Sequence, residues 1–416
     1  MSLITKTVVV IALFDMIVVA DVLENIDVDI EKIFRPGNLA KDLQEDAALP
    51  LLDLIRKKGY PSEKHTIHSK QGYILEMHRI PYGKRGPWGN RPAVYLQHGI
   101  VSSSADWVLS GPEKSFAYIL ADAGYDVWLP NVRGNKYSRK HKWLDPMKNA
   151  KEFWDFTWHE IAMDDVPTMV DYVREQTRQD KIFYIGHSQG TTVSYVMLSR
   201  IPKYNDRFRA VFSLSPVAYM KHVISPFIRV LAMLANFFQM VTGSLNMYEF
   251  PPRISPISVT AKWFCSHNIF KQVCIATVFS ICGFNYEQLN STVMAVALYQ
   301  TPAGASFKQL FHYAQEINSG FFCQWDHGFL RNIIIYKRPT PPKYELKNVK
   351  APVYLYYSNN DWLANITDVE RLASELGNLQ GKFLCTDKKF SHFDYLYGID
   401  APRLVYYKLI EVMKKH

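Results

Sequence analysis

Short apolar runs alternate with amphipathic stretches along most of this chain. Residues 64–68 and 72–80 read as two strands joined around Lys70-Gln71-Gly72, and 94–97 as an apolar strand ending in His98-Gly99. Helical periodicity follows over 113–123, then a strand at 125–129 stopped by Pro130, then a long helix over 158–177. Lys181-Ile182-Phe183-Tyr184-Ile185 is the next strand, 191–198 the next helix, and 210–214 a further strand stopped by Ser215-Pro216. Such alternation predicts a mostly parallel, doubly wound sheet. From about 217 to 345 it breaks. Long apolar helical patterns replace strand–helix units, and Pro339-Thr340-Pro341-Pro342 closes the stretch like a linker. Alternation resumes with a strand at 353–357, a helix from about 367 to 376, a strand at 382–385 and a helix from about 401 to 415. The expected organisation is one α/β core, residues 50–216 and 346–416, with a mainly helical cap and lid inserted at 217–345.

Within the insertion, the spacing predicts a helix over 223–243. Ser225, Arg229, Ala232, Asn236 and Gln239 share a narrow stripe, and Ile224, Phe227, Ile228, Leu231, Leu234, Phe238 and Val241 cover the other side. Two readings fit: a helix buried against the core, or a mobile lid whose apolar side faces the active site or a lipid surface.

Composition narrows the class. The chain has 416 residues, 48% of them hydrophobic, which suits a large globular core. Its 48 basic and 39 acidic residues are interspersed without a run of five or six Lys/Arg, so a nucleic-acid partner is not supported. Residues 1–20 read as a signal peptide, with Lys6 before an apolar stretch and Val18-Val19-Ala20 at the cleavage position; residues 21–49 read as an N-terminal arm. An exported chain meets oxidising conditions. Of five cysteines, Cys265 and Cys274 are the best local disulfide candidates, and the odd count leaves at least one thiol free. Asn290-Ser291-Thr292 and Asn365-Ile366-Thr367 are sequons, which makes Asn290 and Asn365 candidate glycosylation sites. No Cys/His spacing resembles a zinc site, and no metal or organic cofactor is expected.

The chemistry centres on Gly186-His187-Ser188-Gln189-Gly190, placed between a strand and a helix. Glycines two before and two after a serine allow the strained turn that lifts a nucleophilic hydroxyl into the open. A serine hydroxyl needs a base within reach, and the base needs an orienting acid. In α/β-hydrolases these follow in the order serine, acid, histidine, at the C-terminal ends of strands. Asp361, behind the turn Ser358-Asn359-Asn360, and His392, after the strand 382–385, occupy those places. Asp394 and Asp400 lie too close to His392 in sequence for the usual orienting acid, and Asp394 better suits local backbone. The strand ending at Leu214 is another acid position, but Ser215-Pro216 brings no carboxylate. The Gln189 N–H and the Ile100 N–H, in the loop after His98-Gly99, are the expected oxyanion donors.

These segments resemble the acid lipases of animals, the family of lysosomal and gastric lipases with many insect members. The resemblance rests on Gly59-Tyr60-Pro61-Ser62-Glu63-Lys64-His65, Gln71-Gly72-Tyr73-Ile74-Leu75, His78-Arg79-Ile80-Pro81, Leu96-Gln97-His98-Gly99, the run 120–128, Asn131-Val132-Arg133-Gly134-Asn135, the serine elbow, Asn360-Asp361-Trp362-Leu363-Ala364 and His392-Phe393-Asp394. It implies an α/β-hydrolase fold and a secreted or lysosomal hydrolase of triacylglycerols or cholesteryl esters that works at a lipid–water interface. It carries over Ser188, Asp361 and His392 as the triad and Ile100 and Gln189 as oxyanion donors. It also supports a Cys265–Cys274 disulfide and matches Cys282 to a free cysteine, leaving Cys323 and Cys385 unassigned. Ile100-Val101 stands where the mammalian enzymes usually carry leucines. Two other readings are an esterase for short soluble esters and a non-catalytic lipid carrier on a hydrolase scaffold.

Overall fold

The computed structural model describes Asp46, residues 49–252 and residues 280–416. The expected signal peptide, nearly all of the expected N-terminal arm and the candidate Cys265–Cys274 pair lie outside the described residues. Helix α1 (Leu51–Lys57) precedes the strands β1 (Glu63–His68), β2 (Tyr73–Ile80) and β3 (Ala93–Gln97). Next come α2 (Phe116–Asp122), β4 (Asp126–Pro130), the short β5 (Lys140–His141) and α3 (Val166–Thr177), which continues a helical turn at Trp158–Glu160 through a π-helical turn at Ile161–Asp165. β6 (Ile182–His187), α4 (Gln189–Arg200) and β7 (Phe208–Leu214) complete the first part of the core.

The following block holds helices α5 (Pro226–Met233) and α6 (Ala235–Ser244), strand β8 (Glu249–Phe250), α7 (Ser291–Gln300), β9 (Ala305–Ser306), α8 (Phe307–Ser319) and α9 (Phe329–Tyr336). β10 (Val353–Tyr357), α10 (Ile366–Glu375), β11 (Leu379–Leu384) and α11 (Tyr407–Met413) then return to the core. The main sheet runs β1-β2-β4-β3-β6-β7-β10-β11, with β5 paired to β2, and β8 pairs with β9 separately. β2 is antiparallel to β1 and β4, whereas every neighbour pair from β4 to β11 is parallel. This is the mostly parallel, doubly wound sheet that the alternating pattern predicts, in the α/β-hydrolase arrangement that the resemblance implies.

The strands at the centre are buried along their whole length because helices cover both faces. Alternate side chains therefore enter two separate cores. Tyr95, Ile182 and Tyr184 join α3 and α4 on one side, while Val94, Leu96, Phe183 and Ile185 join α1, α2 and α11 on the other. Register brings the strand ends level: Gln97 pairs with Gly186, His187 with Leu214, and Leu214 with Tyr356. The loops that begin at residues 98, 188, 215 and 358 thus leave one edge of the sheet side by side.

The single helix expected over 223–243 is corrected. α5 and α6 meet at Leu234 with a bend of 65°. The bend sets the small residues Ala232 and Ala235 against Ala314 of α8, while Met233, Leu234 and Met240 stay exposed. Among the described residues no single helix is long and apolar enough to cross a membrane.

Candidate active site

Ser188 sits between β6 and α4 at φ 54° and ψ −121°, outside the conformations a serine ordinarily adopts. Its flanking glycines are required by close approach. A Cβ on Gly186 would come within 2.7 Å of the Gly190 backbone, and one on Gly190 within 2.4 Å of the Gln97 carbonyl. Hydrogen bonds hold the turn: the Ser188 N–H donates to the Leu214 carbonyl at 3.2 Å, and the Ser188 carbonyl accepts from the Thr191 N–H at 2.8 Å. The elbow is therefore fixed by β3, β7 and the first turn of α4.

Asp361 lies just beyond β10 and is buried. Its Oδ1 accepts from the N–H groups of Leu363 and Ala364 at 3.0 and 2.8 Å and from His392 Nδ1 at 2.9 Å. Burial works to raise its pKa. The charge of His392, with hydrogen bonds from His392, Ser215 and the Ala364 amide, outweighs that and holds the carboxyl below its ordinary range. His392 is also tethered through its backbone. Its N–H donates to the Cys282 carbonyl at 3.2 Å, and its carbonyl accepts from His187 Nε2 at 2.9 Å. With Nδ1 committed to Asp361, Nε2 is the ring nitrogen left to take a proton. Among the described residues the Ser188 hydroxyl makes no hydrogen bond to the His392 ring. The structure thus joins acid and histidine, and brings the serine beside them through its neighbour His187.

His187 itself does not serve as the base. Burial first, and the neighbouring His392 second, push its pKa down to about 3, so it stays neutral and holds backbone. Asp394 binds locally: its Oδ2 accepts from the Ser391 N–H at 2.6 Å and from Asn285 Nδ2 at 2.9 Å.

Ser215 joins the site although no sequence motif marks it. Its fully buried hydroxyl donates to Asp361 Oδ2 and accepts from His392 Nδ1 at 2.5 Å. Its backbone N–H donates to the Tyr356 carbonyl at 2.9 Å, and its φ is 53°, in the left-handed region that costs a serine energy. The dipeptide Leu214-Ser215 therefore touches both halves of the site, the Ser188 amide through one carbonyl and the Asp361–His392 pair through one hydroxyl. The only sequence signal was topological, since a strand ends there.

Gly99 lies so close to the elbow that a Cβ on it would come within 3.2 Å of Ser188 Cβ. The N–H groups of Ile100 and Gln189 have no acceptor among the described residues. The loop is shaped by buried polar anchors. His98 Nδ1 donates to the Gly99 carbonyl at 2.7 Å, and His98 Nε2 accepts from the Val132 N–H and Asn135 Nδ2, both at 3.3 Å. Burial pushes His98 down to about 4, which keeps this pattern of one donor and one acceptor nitrogen. Val101, at φ 54°, passes the chain on and accepts from the Ala303 N–H at 2.6 Å. Arg133, buried against the Tyr73 ring and paired with Asp164 and Asp165, fixes the segment that carries Val132 and Asn135. The π-helical turn aims both aspartates at one guanidinium.

α8 packs on this edge. Gln189 Nε2 donates to Gln309 Oε1 at 2.9 Å, and Tyr313 shares a hydrogen bond with Thr192 at 3.0 Å. Cys282, Cys323 and Cys385 are buried and unbridged. Asn290 and Asn365 stand at helix starts, each with Oδ1 accepting a backbone N–H, at 3.2 and 2.9 Å. No group of three His, Cys, Asp or Glu side chains is placed to hold a metal ion among the described residues.

Two family profiles match the chain: an alpha/beta hydrolase fold over residues 92–250 and a partial alpha/beta-hydrolase lipase region over 51–111. Lipase 3 of Drosophila melanogaster is 42% identical over 87% of this chain and 92% of its own length. The lysosomal acid lipase/cholesteryl ester hydrolase of Homo sapiens is 34% identical over 88% of this chain and 90% of its own. Gastric triacylglycerol lipase of Mus musculus is 36% identical over 88% and 92%.

Proposed function

Because the chain belongs to the animal acid lipase family and is a serine carboxylic-ester hydrolase of the lipase type, we propose that it cleaves triacylglycerols and cholesteryl esters through Ser188, His392 and Asp361. The observation that carries this is the strained Ser188 elbow beside a buried His392–Asp361 pair. The names of the relatives supply the substrates. As the Ser188 oxygen attacks the ester carbonyl, His392 Nε2 takes its proton, and Asp361 holds the ring by Nδ1 and stabilises the imidazolium. The serine–histidine bond missing at rest forms as substrate enters, since such bonds commonly tighten only in the reacting complex. The carbonyl oxygen gathers negative charge on the free N–H groups of Ile100 and Gln189, each worth about 2.7–4 kcal/mol of barrier. His392 then protonates the leaving alcohol, and water hydrolyses the acyl-enzyme by the same route in reverse order.

Residues 217–345 act as the cap of this site, with α8 fastened to α4 through Gln309 and Tyr313. The chain enters the secretory pathway, its destination being secretion or the lysosome. Glycans on Asn290 and Asn365 fit their two sequons, where Oδ1 of each asparagine accepts a backbone N–H at a helix start. Ser188→Ala should fold normally, lose turnover of a nitrophenyl ester and no longer take a fluorophosphonate label. Retained turnover in that variant would overturn the nucleophile assignment. Rates on triolein and cholesteryl oleate between about pH 4.5 and 8 test the substrate class.

A further inference from the structure

Helix α9 is built inside out. Asn332 is its one buried residue, and its side chain is consumed beneath the helix. Oδ1 accepts from the His327 N–H at 3.0 Å, while Nδ2 donates to Asp326 Oδ1 at 2.7 Å and to the Pro339 carbonyl at 3.0 Å. The outward side carries Phe329, Leu330, Ile333, Ile334 and Ile335, between 41% and 73% exposed. A surface helix ordinarily turns its apolar stripe inward and its polar one to water. Here folding draws little burial energy from five large apolar side chains, and a patch of this kind marks an interaction surface.

Charge identifies the partner. Arg331, Lys337, Arg338 and Lys343 are all exposed around the patch, and none has a carboxylate partner among the described residues. Three of them, Arg331, Arg338 and Lys343, also line a groove of about 1000 Å³ between the start of α9 and α6, whose Met233–Leu234 junction and Met240 are exposed as well. Among the described residues Asp326 is the one carboxylate on that groove, and its Oδ1 is taken by Asn332 and the Gly328 N–H. A second copy of this chain is a poor occupant. A two-fold contact would set the cation cluster against itself.

We propose that α9 seats this enzyme on an anionic lipid surface. Phe329, Leu330 and Ile334 enter the acyl region, and Arg331, Lys337, Arg338 and Lys343 meet the headgroup phosphates. The lipid-hydrolase reading gives such docking its purpose, but the docking is tested apart from catalysis.

Co-sedimentation with phosphatidylcholine vesicles, with and without phosphatidylglycerol, measures it directly. The wild-type protein should bind the phosphatidylglycerol vesicles more tightly, and high salt should weaken that binding. Leu330→Glu/Ile334→Glu should lose about tenfold or more in vesicle affinity, and Arg331→Glu/Arg338→Glu should remove the preference for anionic vesicles. Hydrolysis of a short soluble ester should be unchanged in both variants, while the rate on emulsified triolein falls with vesicle affinity. Undiminished vesicle binding by Leu330→Glu/Ile334→Glu overturns the proposal. So does a wild-type dimer in light scattering that this variant converts to monomer, because the patch would then be a self-association surface. A wild-type protein that binds vesicles but turns over no ester would instead count against the catalytic reading alone.

Discussion

Glu316, on α8, is a carboxylic acid buried without a partner, and it should set how stability depends on pH. It is 1% exposed, and neither carboxyl oxygen has a hydrogen-bond partner among the described residues. Burial first, and the charge of Asp368 second, hold its pKa well above the ordinary carboxylate range. In the unfolded chain it titrates as an ordinary glutamate, near about pH 4.3. Below that value both states hold the proton and Glu316 contributes no pH dependence. Above it the unfolded state has released the proton while the folded state keeps it, so stability falls as pH rises. The linkage for one proton is about 1.4 kcal/mol per pH unit, and it persists until the raised folded pKa is passed. Glu316→Gln retains shape and polarity but cannot ionise. Urea denaturation of both proteins from about pH 5 upward should show the variant gaining on the wild type, by up to about 1.4 kcal/mol for each unit below the raised folded pKa. Taking the difference cancels the other titrating groups, including Asp394, which burial raises to about 6. A difference that stays flat with pH, or shrinks as pH rises, would refute the claim that this carboxyl is buried in its neutral form.

The other expectations concern the catalytic edge. Ser215→Gly removes the hydroxyl shared by Asp361 and His392 and also relieves the left-handed strain. Its kcat should drop about ten- to a hundredfold with KM for a soluble ester unchanged, since a hydrogen bond to a charged group is worth about 1.5–3 kcal/mol, while the melting temperature holds or rises. An unchanged kcat would reduce Ser215 to a structural residue. Gly190→Ala should destabilise by about 1–3 kcal/mol or prevent folding, because its Cβ would meet the Gln97 carbonyl at 2.4 Å. Gly243→Ala, at a helical position with nothing within 4 Å, should stabilise by up to about 1 kcal/mol, and thermal melts of the pair would check both signs.

Much of this molecule is decided by local pattern, and that part is legible in the amino-acid sequence. A strand buried on both faces has to be a short apolar run, and a helix that covers a sheet has to repeat its apolar face. Hence β3, β6, β7 and β10 lie where the pattern puts them, and the ends of those strands locate Ser188 and Asp361. The glycines around Ser188 announce the elbow because no other residue fits at those distances. What local pattern could not decide is which side of a helix meets the rest of the protein. The run Phe329 to Ile335 has the composition of a core helix, yet it lies outside because Asn332 bonds inward to Asp326 and Pro339. The 223–243 stripe reads as one helix, yet packing of Ala232 and Ala235 on α8 accompanies a break at Leu234. Ser215 and Glu316 are common residue types with no motif around them. Their roles arise from neighbours far away in sequence: Asp361 and His392 for the first, and Asp368, with the packing that excludes water, for the second. The sequence by itself determined the sheet, the elbow that carries Ser188 and the order of the candidate triad, because those rest on backbone periodicity and close approach. Only the tertiary structure decided what is buried without a partner and what is exposed without a cover, because burial is a property of the assembled chain.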